Sequence, residues 1–147
     1  MKRRQLSALC VAAAWILVLP AASAAGKSEI KGAAILDHAC GKVAVKQMGM
    51  VHAGNFDEAN KLSTKEMQDQ WKAMPAKDRT MMMGMMKEMS STEQQYSNDI
   101  KTNGVLVVDG PGATLTVKKT TKDANGSMTS TMTQNFKLDG SQCLISR

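Results

Sequence analysis

The spacing of apolar residues in this chain changes once, near Ser91, and that change sets the fold class. Before Ser91 they recur at intervals of three and four, the spacing of one helix face. After it they alternate with polar residues, as in strands with one buried side, and turn signals follow at short intervals. Helices followed by strands joined by tight turns specify an α+β domain, with the helices packed on a curved antiparallel sheet.

Four helices are expected. The first covers 33–53, with Ile35, Ala39, Val43, Lys46 and Met50 at helical spacing and Gly54 as its stop signal. Gly41 and Gly49 weaken it, each by up to ~1 kcal/mol relative to alanine. Asn55, with Glu58 three positions on, has the form of a capping box and opens a short helix over 56–62. Ser63 or Thr64 caps a third helix, which carries Met67, Gln70, Trp71 and Met74 and which Pro75 ends. The fourth covers 76–89, where Met82, Met85, Met86 and Met89 form one stripe, widened by Met81 and Met83.

Five strands are expected after it, over 94–101, 104–108, 113–122, 127–138 and 142–146. Leu115 and Val117 share a face of the third, and Met128, Met132, Phe136 and Leu138 share a face of the fourth. The turn Asp109-Gly110-Pro111-Gly112, the pair Asn125-Gly126 and the pair Asp139-Gly140 supply the reversals, because glycine and asparagine tolerate positive φ. Residues 26–32 read as a flexible lead.

The first 25 residues have a separate logic. Lys2, Arg3 and Arg4 precede a run from Leu6 to Leu19 that is almost wholly apolar, and Pro20 then leads to Ala22-Ser23-Ala24-Ala25. This is the order of a secretory signal peptide, with cleavage expected after Ala24 or Ala25. The run is shorter than the ~20 residues of a membrane-spanning helix, so no stable membrane insertion is expected after cleavage. Leu9 stands where a lipoprotein signal requires a small residue, so Cys10 is expected to leave with the leader.

Without the leader 122 residues remain, the size of one domain. Lys plus Arg falls from 19 to 16 against 13 acidic residues, so a net charge of +6 becomes +3. No basic stripe with interleaved aromatics survives, and nucleic acid is not expected as a partner. Two cysteines remain, Cys40 and Cys143. They are either two buried thiols or a disulfide, and an exported domain with only four aromatics favours the bridge. No C-x-x-C is present to make it catalytic.

Three stretches resemble the nuclear-transport-factor-2-like superfamily, in particular its small secreted lumazine-binding-like and SnoaL-like domains. They are His52-Ala53-Gly54-Asn55-Phe56-Asp57-Glu58-Ala59, the run from Val108 to Val117, and the last strand after Asp139-Gly140, where Cys143 replaces a usual tryptophan. The resemblance implies a long helix across a curved sheet with a cone-shaped cavity, which holds a small apolar ligand, an active site or only side chains. Isomerase-like catalysis in such a cavity needs a carboxylate beside proton donors. Tyr96 is the only tyrosine, and Asp37 and His38, being adjacent, diverge on a helix. An enzyme would require Asp37 or Glu88 buried beside Tyr96, and no catalytic residue or cofactor is assigned.

The methionines are the compositional oddity: of 13 in the chain, six lie between Met81 and Met89. Thioethers are soft ligands that select Cu(I). Met48 and His52 are also four apart and could share an ion, with His38 out of reach. Methionine is equally a helix former and a flexible core filler, so packing in the core, or against a partner protein or second copy as a homodimer, is the favoured reading. A sacrificial role towards oxidants is a third. The alternating charges from Asp57 to Asp78 read as a solvated face. The expectation is therefore a periplasmic, non-enzymatic domain that binds a small apolar ligand or a partner protein. A Met-rich Cu(I)-binding or oxidation-buffering protein is the alternative, and a SnoaL-like enzyme is a second.

Overall fold

A computed structural model describes residues 26–123 and 126–147. The leader expected over 1–25 and the turn tip at Asn125 lie outside the described residues. The chain is α+β: one short strand, then the helices, then four strands, and the five strands form one antiparallel sheet in sequence order.

The lead is not a loose one. Ser28–Lys31 forms strand β1, paired with β2 (Gly104–Asp109) in a register that sets Ile30 opposite Leu106. A 3-10 helix follows at Gly32–Asp37, and helix α1 then runs over Ala39–His52. The single helix expected over 33–53 is thus broken at His38. That residue is extended, and its Nδ1 accepts from the Cys40 amide at 3.2 Å, which makes it the N-cap of α1. The break lets α1 fold back closely on the 3-10 helix. A Cβ on Gly41 would stand 1.9 Å from the Ile35 carbonyl oxygen, so this glycine is a packing requirement and not a weakness. Gly54, at φ 82°, ends the helix as expected, and the Gly54 and Asn55 amides donate to the Val51 and Met50 carbonyls.

Three more helices follow: α2 (Phe56–Asn60), α3 (Lys65–Ala73) and α4 (Ala76–Met89). Asn55 and Thr64 occupy the cap positions of α2 and α3, but neither side chain makes a capping bond. Neither α3 nor α4 contains a fully buried residue.

The strand expected over 94–101 is instead helix α5, Glu93–Asn103. Its start is fixed by Thr92 and Gln95, which cap each other's amides in a reciprocal box with both bonds at 3.2 Å. Tyr96 and Ile100, four apart, are its buried face. The segment has no two-residue alternation, and its apolar pair fits only the helical period.

The other expected strands are present as β2, β3 (Gly112–Asp123), β4 (Gly126–Asp139) and β5 (Gln142–Ser146). Across them Ala113 stands opposite Phe136, which stands opposite Ile145, so one face carries a buried row. Leu115 and Val117 extend it, and Ile35, Cys40, Ala44, Tyr96 and Ile100 close it from the helical side. Met128 and Met132 share the parity of Phe136 but are exposed, 69% and 36%, and Met132 lines a concavity beside Met89, Tyr96 and Asp99.

Cys40 and Cys143 form a disulfide that joins the first turn of α1 to β5 across 103 positions. Both are buried within the core. Constraining so long a loop in the unfolded chain is worth up to about 4.7 kcal/mol in the loop-entropy picture.

Candidate functional site

The space between the first turns of α1 and the sheet is filled by core side chains, among them Ile35, Ala44, Leu115 and Phe136. An apolar cleft lies further along, where α2, α3 and α4 fold over the C-terminal half of α1. Gln47 stands at its inner end, its Oε1 accepting from Gln134 Nε2 at 2.6 Å and so tying α1 to β4.

The chain between α2 and α3 sets the position of the cleft. The Thr64 amide donates to the Ile145 carbonyl at 2.8 Å, and the Ile145 amide donates to the Leu62 carbonyl at 2.9 Å. These bonds dock Leu62–Thr64 on the free edge of β5 and cover backbone groups that would otherwise be open. α3 leaves from that anchor, and Pro75 turns the chain into α4 as its N-cap.

The resulting cleft holds about 280 Å³. One wall is α3 with its C-cap, where Met67, Trp71 and Met74 repeat at helical spacing; a facing wall is α4, through Met82 and Met86. Phe56 of α2 stacks on Trp71, with ring centroids 6.5 Å apart and planes inclined by 21°. The Trp71 indole N–H is buried and has no acceptor among the described residues. Polar groups are few and include Gln70, Asn60 and, at the C-terminal end of β5, Arg147.

The expected methionine stripe is therefore divided. Met82 and Met86 line the cleft, Met82 still 40% exposed, whereas Met81, Met85 and Met89 are 64%, 57% and 73% exposed, so the stripe is not a core face of this chain. The sequence showed the apolar face of α3 and that of α4 separately. Their meeting depends on the turn at Pro75 and the anchor on β5, which no local spacing encodes.

The remaining candidates are dispersed. Asp37 and Glu88 are exposed, and neither lines the second apolar concavity, about 380 Å³, that contains Tyr96 with Met89, Val117 and Met132. The Tyr96 hydroxyl is buried without a partner among the described residues. Burial first, and then the charge of Asp99, push its pKa up to about 12. Met48 packs against the core, while His52 is exposed and pairs its Nδ1 with Ser90 Oγ at 3.3 Å. His38 is engaged as the cap of α1. Among the described residues no three or more His, Cys, Asp and Glu side chains cluster as a metal site, and no helix is long and apolar enough to cross a membrane.

Compared with known protein families, characterised proteins and solved structures, the chain matches none.

Proposed function

We propose that this protein is an exported, non-enzymatic binding protein whose cleft between α1 and α2–α4 holds a small, mostly apolar molecule. The observation that carries this reading is the lining: aromatic and thioether side chains from α2, α4 and α3 with its C-cap, with one buried indole N–H lacking an acceptor among the described residues. Ligand sites are usually apolar concavities with a few placed polar groups, of ~300–1,000 Å³. At about 280 Å³ the cleft suits a short-chain compound or one of up to about three rings. An acceptor on that compound, such as a carbonyl oxygen, would satisfy Trp71 Nε1 and remove the cost of an unpaired buried donor, roughly 1–3 kcal/mol. The leader-like first 25 residues and the Cys40–Cys143 disulfide support work in an oxidising compartment such as the periplasm. The nuclear-transport-factor-2-like resemblance remains compatible with helices followed by an antiparallel sheet.

Native mass spectrometry of protein recovered from the periplasm of an expressing bacterium tests the reading. An organic adduct is expected, displaced by the uncharged fluorophore N-phenylnaphthylamine. Met86→Lys, which places a charge on the cleft wall, should abolish both. A protein that carries no adduct and does not bind the fluorophore would refute it.

A further inference from the structure

We propose that the same cleft is a site for a soft monovalent metal ion, Cu(I), held by the thioethers of Met67, Met74, Met82 and Met86. The four line one cavity: Met67 lies on α3 and Met74, seven positions on, is the C-cap of that helix, while Met82 and Met86 are four apart on α4. Seven and four residues are about two turns and one turn, so each pair keeps to one side of its helix. The two sides face each other across a cleft of about 280 Å³, and thioether side chains with three free torsions each can turn inward to close on an ion.

The donor set also fixes the metal class. Thioether sulfur is neutral and soft, and among biological metals it selects Cu(I), which needs neither carboxylate nor imidazole. The other donors that would favour zinc are engaged elsewhere. Cys40 and Cys143 are joined to each other, His38 caps α1, and His52 pairs with Ser90. Trp71 lies in the same lining, and an indole face attracts a cation that has lost its water. Arg147 at the C-terminal end of β5 is the one full charge among the lining residues, and its repulsion sets a limit on affinity. Thioethers carry no proton, so binding should not depend on pH where imidazole or thiol sites would.

This inference rests on the cleft being open to a ligand, but not on its occupant being organic. Copper and an apolar molecule would exclude each other. The test is an anaerobic titration of the purified protein with Cu(I), buffered by the competing chelator bicinchoninate and followed by Trp71 emission. One equivalent is expected at micromolar affinity or tighter, with quenching of the indole and displacement of N-phenylnaphthylamine; Zn(II) should do neither. The double variant Met82→Leu/Met86→Leu keeps the cleft apolar and should lose about a hundredfold in Cu(I) affinity while still binding the fluorophore. The exposed pair Met81→Leu/Met85→Leu should bind copper as the wild type does. Absence of Cu(I) binding at micromolar concentration, or an unchanged affinity in Met82→Leu/Met86→Leu, overturns the inference. Fluorophore binding then separately decides whether the cleft takes apolar ligands.

Discussion

The Ile145 amide donates to the Leu62 carbonyl at 2.9 Å, and this one bond, with its neighbour from Thr64, joins the helical lobe to the sheet edge. The lobe beyond it is held less firmly, since α3 and α4 bury no residue completely. Regions with few buried contacts open at low free energy. Amide exchange should therefore divide sharply within a few residues. The Thr64 and Ile145 amides are expected to exchange with the slow core, and those in the middle of α3 and α4 much faster. Equal protection of the two sets would mean that the lobe opens only with the whole domain.

Gly41 and Gly84 both interrupt helices, yet they should respond to alanine in opposite ways. A Cβ at Gly41 collides with the Ile35 carbonyl oxygen at 1.9 Å, and backbone cannot swing aside as a side chain can. Gly41→Ala is expected to cost about 1–3 kcal/mol, as overpacking does. Gly84 lies within α4 with nothing within 4 Å of such a Cβ, so Gly84→Ala should stabilise by up to about 1 kcal/mol. Urea denaturation of both variants checks the signs.

Tyr96 makes stability depend on alkaline pH. Its folded pKa of about 12 lies above the ordinary value of 10.0, so the folded state holds the proton more tightly than the unfolded chain. The contribution is complete below pH 10.0 and is lost as pH rises towards about 12. Tyr96→Phe removes this dependence. It also removes a buried hydroxyl that has no partner among the described residues, so at neutral pH it should be neutral or slightly stabilising. Denaturation midpoints at neutral pH and at pH values between the two pKa values will show whether the slope disappears.

Thr92 should carry a measurable share of α5. Thr92→Ala removes the side chain that accepts from the Gln95 amide, and about 1 kcal/mol is the usual cost. Thr64→Ala is the matched control. Thr64 makes no capping bond through its side chain, so only a few tenths of that loss is expected by thermal or urea unfolding.

The same pair shows where sequence reading succeeds and where it stops. The meander was legible because Leu115, Val117 and Phe136 alternate with polar neighbours and because glycines mark the turns. The Cys40–Cys143 disulfide was legible from number and setting. Helix α5 was not recognised, although Thr92 and Gln95 have the spacing of a capping box and Tyr96 and Ile100 share a helical face. The nearby strands drew it into their pattern. The break at His38 was hidden for a different reason. His38 forms it by an extended backbone and a side-chain cap, while the apolar spacing runs through it without interruption. The cleft was the least legible of all, since its two walls meet only through contacts distant in sequence.

The Cys40–Cys143 bond encloses α2, α3 and α4, the whole arm that carries the cleft. A protease that cuts once in that arm would therefore release nothing. The two pieces would travel together in every separation that leaves disulfides intact, and would part only when a reductant is added. Damage to that arm would thus be invisible to size alone, and a nicked molecule would keep its sheet and core while the cleft fell apart.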